Sequence, residues 1–437
     1  MSAQTTGGTS GTPGTPGMPQ TEKLSTPARR RASTVGVGVA IAIAIVLLIV
    51  GFVAGYFVYP SVNPKSSTTT TAPSLSETGS TLFYPLMTRW AANYTAAVIT
   101  AAGTGSGTGQ DEAILNLVNM GASDGYLTNA STTNVANFPA AISAQYVYYD
   151  LPSVSTSVHL NLNGTILADI YDGTITTWNN PLIAAANPSV TLPSNAIVPL
   201  ARADSSGDTF LFTSYVYMSS ATWPYGAPST KTLTTVDSHV TGETGNAGMV
   251  SGVSTTAYSI AYIGISYAHE LVGVSNVNYA ALGDNASLSA SGGTIAANYI
   301  LPTGGPDGTI AQDANLGLER LNYATYGMAV SLILGGSWAG AVTLVAGGGG
   351  SNPTATSPDP YPIANLEYLI IKLAPTAGTA VSSANLAATV TFLQWAITVG
   401  NWAPGSTPSA WINQVGFLPL TPEVTGYDAQ ILASVST

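Results

Sequence analysis

No cysteine occurs anywhere in the 437 residues. Disulfides, thiolate catalysis and Cys-ligated zinc are therefore excluded. Histidine is almost as rare: His159, His239 and His269 are the three, none at ligand spacing to another, so a His-held metal is not expected and no cofactor is implied. Charge is scarce as well. Only 7% of residues are charged, 10 Lys and Arg stand against 21 Asp and Glu, and the net charge is −11. Lys23, Arg29, Arg30 and Arg31 precede residue 35, which leaves Lys65, Arg89, Arg202, Lys231, Arg320 and Lys372 for all the rest. Binding a phosphate backbone needs a basic stripe, and this chain has none, so nucleic acid is excluded as a partner. Solubility rests instead on Ser, Thr, Asn, Gly and Tyr. Such a surface loses little on protonation and would suit an acidic exterior.

A long apolar run without charge spans residues 35–59, VGVGVAIAIAIVLLIVGFVAGYFVY. As a helix it would span about 37 Å, at ~1.5 Å per residue, against a hydrocarbon core of ~30 Å. ARRRAS precedes it and only Lys65 follows closely, so the positive-inside rule puts the N-terminus in the cytoplasm and the remainder outside. A cleaved signal peptide is the rival reading, but its apolar core would be shorter, and no convincing small-residue cleavage site follows. Residues 1–34, rich in Gly, Thr and Pro, read as a disordered tail, and residues 60–77 as a Ser/Thr/Pro linker. Sequons at Asn93, Asn129, Asn163 and Asn285 are compatible with an exported surface.

From residue 78 onward, strand-like and helix-like segments alternate, which predicts an α/β fold. LFYPLMTRWAANYTAA reads as a helix with Leu82, Leu86 and Trp90 repeating every four residues. GQDEAILNLVNM reads as a second, with Ile114, Leu117 and Val118 as its apolar stripe, and GDTFLFTSYVYMSS as another. AQYVYYDLPSV and LEYLIIKLA read as buried strands, AGGGGSNPTATSPDP as a loop, and no internal repeat is evident.

Three short polar loops stand ahead of helix-like runs: GST at 79–81, GTGSGTG at 103–109 and DSSGD at 204–208. Small residues let backbone N–H groups approach a ligand, and a helix N-terminus offers unpaired donors and partial positive charge. With hydroxyls from Thr81, Ser106 and Ser206 and the scarce Arg202, these loops would make a desolvated oxyanion site without a basic patch. Each loop alone is compatible with a plain helix cap. GASDG at 121–125 also fits Gly-x-Ser-x-Gly, so a hydrolase using Ser123 has to be weighed, but no histidine stands in a recognisable general-base context. GTGSGTG does not contain Gly-x-Gly-x-x-Gly, which disfavours a dinucleotide fold.

These loops, in this order, resemble the phosphate-specific substrate-binding proteins of ABC transporters. GSTLFYPLMTRWA, GTGSGTGQ followed by MGASDG, LNGTILADIYDGTITTWNNP and RADSSGDTFLFTSYV carry the resemblance, with weaker echoes in SIAYIGISYA, YPIANLEYLI and VGFLPLT. The resemblance implies a two-lobed periplasmic-binding-protein-like α/β fold with two strand crossovers, expected near 150–154 and 360–364. Lobe I would be 78–155 with 361–437, and lobe II 156–360. It implies a receptor, not an enzyme, whose partners are inorganic phosphate and ABC permease subunits, held to the membrane by its N-terminal helix. Thr81 and Leu82 would donate from hydroxyl and backbone, Ser106 would cap the anion, and Asp124 would accept the ligand's own proton. Arg202, positioned by Asp204, would pair with the ligand, and Ser206, Gly207 and Asp208 would donate at the third helix N-terminus. An esterase or phosphoesterase on the same scaffold and a structural surface protein remain the alternatives.

The pattern breaks at two of these positions. The family often has Phe where this chain has Leu82, whose backbone can still donate, and usually Thr where it has Asp208. A carboxyl there would repel a bare anion, so Asp208 is expected either to cap its own helix, the preferred assignment, or to accept a second ligand proton.

Overall fold

The computed structural model of the chain describes residues 72–127, 133–220, 223–225, 233, 238–283, 299–302, 361–400, 411–420 and 422–437, all within the unit that begins at residue 71. The apolar run at 35–59, Asn129, Asn285 and the Gly-rich 346–360 segment lie outside the described residues. No helix among the described residues is long and apolar enough to cross a membrane.

In chain order the first elements are β1 (Ser74–Gly79), α1 (Tyr84–Asn93), β2 (Val98–Gly103), α2 (Ser106–Ile114), β3 (Met120–Ser123) and β4 (Val135–Asp150). After them come β5 (Asn161–Leu162), α3 (Gly164–Tyr171), α4 (Pro181–Ala186), β6 (Val198–Arg202), α5 (Gly207–Ser219), β7 (Thr241–Glu243), α6 (Gly245–Thr255) and β8 (Ser259–Gly264). β9 (Val277–Tyr279), β10 (Ala281–Gly283), β11 (Tyr299–Ile300), β12 (Ala364–Lys372), α7 (Ser383–Trp395) and α8 (Pro422–Ser434) complete the described set. The main sheet runs β2-β1-β3-β12-β4-β8-β6-β7, with β9 paired to β4, and β11-β10-β5 form a small second sheet.

Two parallel β-α-β-α-β modules flank an antiparallel centre. In module one, β1 pairs in parallel with both β2 and β3. In module two, β6 pairs in parallel with both β7 and β8. Each module places its first strand between the other two, so the topology repeats although no sequence repeat announces it. Parallel strands joined by helices send every helix N-terminus to the strands' C-terminal edge, where ligands bind in open α/β sheets. β4 joins the modules. Residues 135–144 pair with β12 and 145–149 with β8, so the change of partner falls between Ala144 and Gln145, upstream of the expected 150–154. Every residue of β4 is buried, which suits its run of Val, Ile, Phe and Tyr. Its Pro139, which has no N–H to give the ladder, sits beside a bulge that shifts the register between Glu367 and Tyr368 of β12.

Other expectations need correcting. The presumed linker ends early, because Ser74–Glu77 already belong to β1, where Leu75 is buried and the strand pairs with β2. α2 stops at Ile114 and the chain turns at Asn116 (φ 60°), so of the expected stripe Val118 is buried while Leu117 is exposed. Asn163 is buried and caps α3 by accepting the Ile166 N–H at 2.8 Å, so its sequon is structural and not a glycan acceptor. Leu82, Leu86 and Trp90 are fully buried as the four-residue spacing predicts, and α1 packs Trp90 edge-on to Phe392 of α7.

Candidate functional site

Four helix N-termini converge where the two modules meet, one from each β-to-α turn. Gly79 ends β1 with φ 140°, and a Cβ there would lie 2.0 Å from the Ala122 carbonyl oxygen, so only glycine lets β1 turn so tightly against β3. The turn delivers Ser80, Thr81 and Leu82, all buried. Ser80 Oγ accepts the Phe83 N–H at 3.0 Å and donates to Asp124 Oδ1. At the start of α2, Ser106 Oγ donates to Asp124 Oδ2 and accepts the Asp124 N–H, both at 3.2 Å. Asp124, just past β3, is thus fixed by one hydroxyl from each of module one's helix turns, while Asn365 of β12 bonds its carbonyl at 2.7 Å.

Module two brings the charge. Arg202, at the end of β6, is 1% exposed. Its Nε donates to Asp204 Oδ1 at 2.7 Å, Nη2 donates to Asp204 Oδ2, and Nη1 donates to Asp208 Oδ2 at 2.6 Å. Burial opposes the arginine's charge, but the two carboxylates hold it firmly protonated. Burial also pushes Asp204 up, and the Arg202 fork with the Gly245 N–H more than reverses this, leaving it below its ordinary value. Among the described residues these contacts use three of the five guanidinium N–H bonds, and the other two are enough for a bidentate partner.

Asp208 does not cap its helix. It is fully buried, and its carboxyl reaches across to Arg202, to Asn246 Nδ2 at 2.7 Å and to Gln145 Nε2 at 3.1 Å. The capping assignment fails because the charge-assisted bond from Arg202, joined by the Asn246 and Gln145 amides, outweighs what the first-turn N–H groups offer. Burial, then the facing Asp124 charge, push Asp208 up to about 7 against the pull of Arg202, Gln145 and Asn246.

Ser206, at the N-cap of α5, is fully buried, and its Oγ has no hydrogen-bond partner among the described residues. A buried hydroxyl left unbonded costs free energy, so it marks a place where a polar group fits. Gly207 touches the opposite module: a Cβ there would lie 2.5 Å from Asp124 Oδ2 and 2.6 Å from Ser106 Oγ. The Gly107 N–H crosses the same gap to the Ser205 carbonyl at 3.1 Å. The structure therefore brings Thr81, Leu82, Ser106, Asp124, Arg202, Asp204, Ser206, Gly207 and Asp208 to one junction.

Ser123 has no part in a nucleophilic arrangement. It is buried at the end of β3, donating to the Gly125 carbonyl and accepting Gln110 Nε2 at 2.9 Å. His159, His239 and His269 bond instead to the carbonyls of Tyr279, Ile170 and Ser266.

Residues 64–398 match the family model described as the PBP superfamily domain. The chain belongs to the PBP superfamily. Among relatives, the phosphate-binding protein PstS of Pasteurella multocida is 33% identical over 207 residues, 46% of this chain and 59% of that protein. PstS of Methanocaldococcus jannaschii is 31% identical over 239 residues, covering 51% and 60%. The chain thus spans about three-fifths of the length of these curated relatives. Among solved structures, a high-affinity periplasmic phosphate-binding protein bound with phosphate superposes with TM-score 0.53 at 19% identity, over 82% of this chain and 93% of that one. That likeness establishes a shared two-lobed fold.

Within this member of the superfamily, several site residues escape sequence reasoning. Asn246 opens α6 and ties the modules together: its N–H and Nδ2 reach Thr81 Oγ1 at 3.2 and 3.1 Å, and its Oδ1 accepts the Gly264 N–H at 2.8 Å. The loop TGETGN before a helix-like run is the signal that could have found it. Gln145, mid-strand at the point where β4 changes partners, gave none. Glu367 of β12 is also fully buried, with Oε1 accepting Ser143 Oγ and Oε2 without a hydrogen-bond partner among the described residues. Burial, then the adjacent Asp124 carboxylate, push it well above the usual carboxylate range.

Proposed function

We propose that this chain is an extracytoplasmic receptor that binds inorganic phosphate and delivers it to an ABC permease. The observation that carries the reading is the junction itself: a buried arginine, a buried Ser206 hydroxyl with no partner among the described residues and four helix N-termini meeting at one place, with the Asp124 carboxyl among them. Helix N-termini and a single guanidinium stabilise an oxyanion without a basic surface, which fits a chain so poor in cations. Asp124 then selects. A carboxylate facing an oxyanion is tolerable only when the ligand brings a proton to share, which phosphate does and sulfate at ordinary pH does not. Thr81, Leu82, Ser106, Ser206, Gly207 and Asp208 complete the ligand's surroundings, and Asp204 positions Arg202. The names and bound ligand of the relatives support the same ligand.

Residues 35–59 would anchor the protein, with the N-terminus cytoplasmic and the binding lobes outside. Lobe I would comprise 78–155 and 361–437, and lobe II 156–360, closing on the ligand about the β4 and β12 crossings. Calorimetric titration of the full chain with phosphate and with sulfate tests the reading. Binding of phosphate in the micromolar range or tighter, with sulfate at least about a hundredfold weaker, is the expected result. Absence of phosphate binding from acidic to alkaline pH refutes it.

A further inference from the structure

The junction holds more acid than one arginine can balance. Arg202 faces Asp204 and Asp208 directly, and the Asp124 and Glu367 carboxyls lie against the same cluster. The other ionisable neighbours of Asp208 are the phenols of Tyr262 on β8 and Tyr267 just beyond it. Arg202 gives Asp204 a two-point fork and Asp208 a single bond, so Asp208 is the less fully compensated of the two acids. It sits in the first turn of α5, one residue from Gly207, which abuts Asp124, and two from the unbonded Ser206. Asp124 and Asp208 therefore bracket the place where an oxyanion would meet the α5 N-terminus. Only one of them can use the single proton of hydrogen phosphate. The other would face a bare anionic oxygen in a water-excluded site, where such opposition is least screened.

We propose that Asp208 makes this site bind phosphate together with one additional proton, shared between the Asp208 carboxyl and a ligand oxygen. The bound pair is dihydrogen phosphate with Asp208 ionised or, with the same proton count, hydrogen phosphate with Asp208 protonated. Well below neutral pH the free ligand and Asp208 each carry a proton, so forming the pair releases one to solvent. Above it neither carries the proton, and binding takes one up. Affinity is thereby greatest near neutrality and falls as the medium turns alkaline. The inference rests on the phosphate reading above and adds the protonation state of the ligand.

The test is calorimetry of the full chain with inorganic phosphate at pH 5 and pH 8.5, in paired buffers of different ionisation enthalpy, which counts protons directly. Wild type is expected to take up about one proton per phosphate at pH 8.5 and to release about one at pH 5. Zero uptake by wild type at pH 8.5 overturns the proposal without any variant. Asp208→Asn and Asp208→Thr are expected to bind at pH 8.5 without that uptake, and their affinities to lack the extra tenfold fall per pH unit. Asp208→Asn should fold, because the buried, unbonded Gln145 Oε1 can receive its amide once that side chain flips, and melting curves check this. Equal proton counts in wild type and variants also overturn the assignment, while leaving phosphate binding intact. Failure of all three proteins to bind phosphate at either pH defeats the phosphate reading, and this inference with it.

Discussion

Module one (β1 to β3) and module two (β6 to β8) share a strand order and a way of presenting helix N-termini, yet they furnish the junction differently. Module one contributes hydroxyls, Ser80, Thr81 and Ser106, arranged around a carboxylate, Asp124. Module two contributes the cation, Arg202, with Asp204 and Asp208 bonded to it, and Asn246 reaching back to Thr81. The difference separates two tasks that one topology could have shared. Module two supplies the attraction that any oxyanion would feel. Module one supplies the acceptor that tells a protonated oxyanion from a bare one. Asp208 blurs the division, since it places a second acceptor in the attractive half.

The largest effect should come from removing module two's charge. Arg202→Ala leaves Asp204 and Asp208 without their cation. Phosphate affinity should drop by about a thousandfold, roughly 4 kcal/mol, and unfolding free energy by about 3–5 kcal/mol in denaturant titrations. Asp124→Asn attacks module one, and its effect should appear in selectivity more than in affinity. An amide donates where the carboxylate could only accept, so the preference for phosphate over sulfate should shrink by about tenfold to a hundredfold in competition titrations, roughly 1–3 kcal/mol. An unchanged preference would assign selectivity to some other group. Gly207→Ala attacks the contact between the modules. Its methyl would press on Asp124 and Ser106, and overpacking of about 1–3 kcal/mol should appear as slower, weaker binding with module folds intact by circular dichroism.

The smallest effect is a slope. Burial holds Asp208 up at about 7, and Glu367, Glu77 and Asp428 well above the ordinary carboxylate range. Between an unfolded value of about 4 and these raised values, the folded chain binds more protons than the unfolded one. The stability these groups contribute is therefore complete below about pH 4 and is lost as pH rises through their raised values, which for Asp208 is about 7, by roughly 1 kcal/mol per pH unit for that carboxyl. Asp204, held low by Arg202, contributes with the opposite sign. Denaturation of the ligand-free protein across pH 4–8 should show the decline, and Asp208→Asn should flatten it near neutrality.

The chemistry-bearing loops were readable because each announces itself locally: small residues, then a hydroxyl or charge, then a helical run. Ser106, Asp124, Arg202 and Ser206 fall in such stretches, and the structure gathers them. What escaped was whatever depends on pairing at long range. Asn246 and Gln145 look like ordinary polar residues until β4 and α6 carry them to Asp208. Glu367, within LEYLIIK, looks like the solvent-facing residue of a strand, yet a two-sided strand buries it beside Asp124. The repetition of the two modules is invisible in sequence because it resides in strand order alone. Asp208 stands out in the sequence as a break in pattern, but its partner does not, since helix capping and an ion pair with Arg202 call for the same residue in the same turn.

A crystal structure of the full chain soaked with phosphate tests the central claim most directly. The account predicts one phosphate at the junction, with oxygens in hydrogen-bond reach of Thr81 or Ser106 from module one and of Arg202 and Ser206 from module two, and one oxygen facing Asp124. A phosphate held by one module alone, or seated away from Arg202 and Asp124, would contradict it.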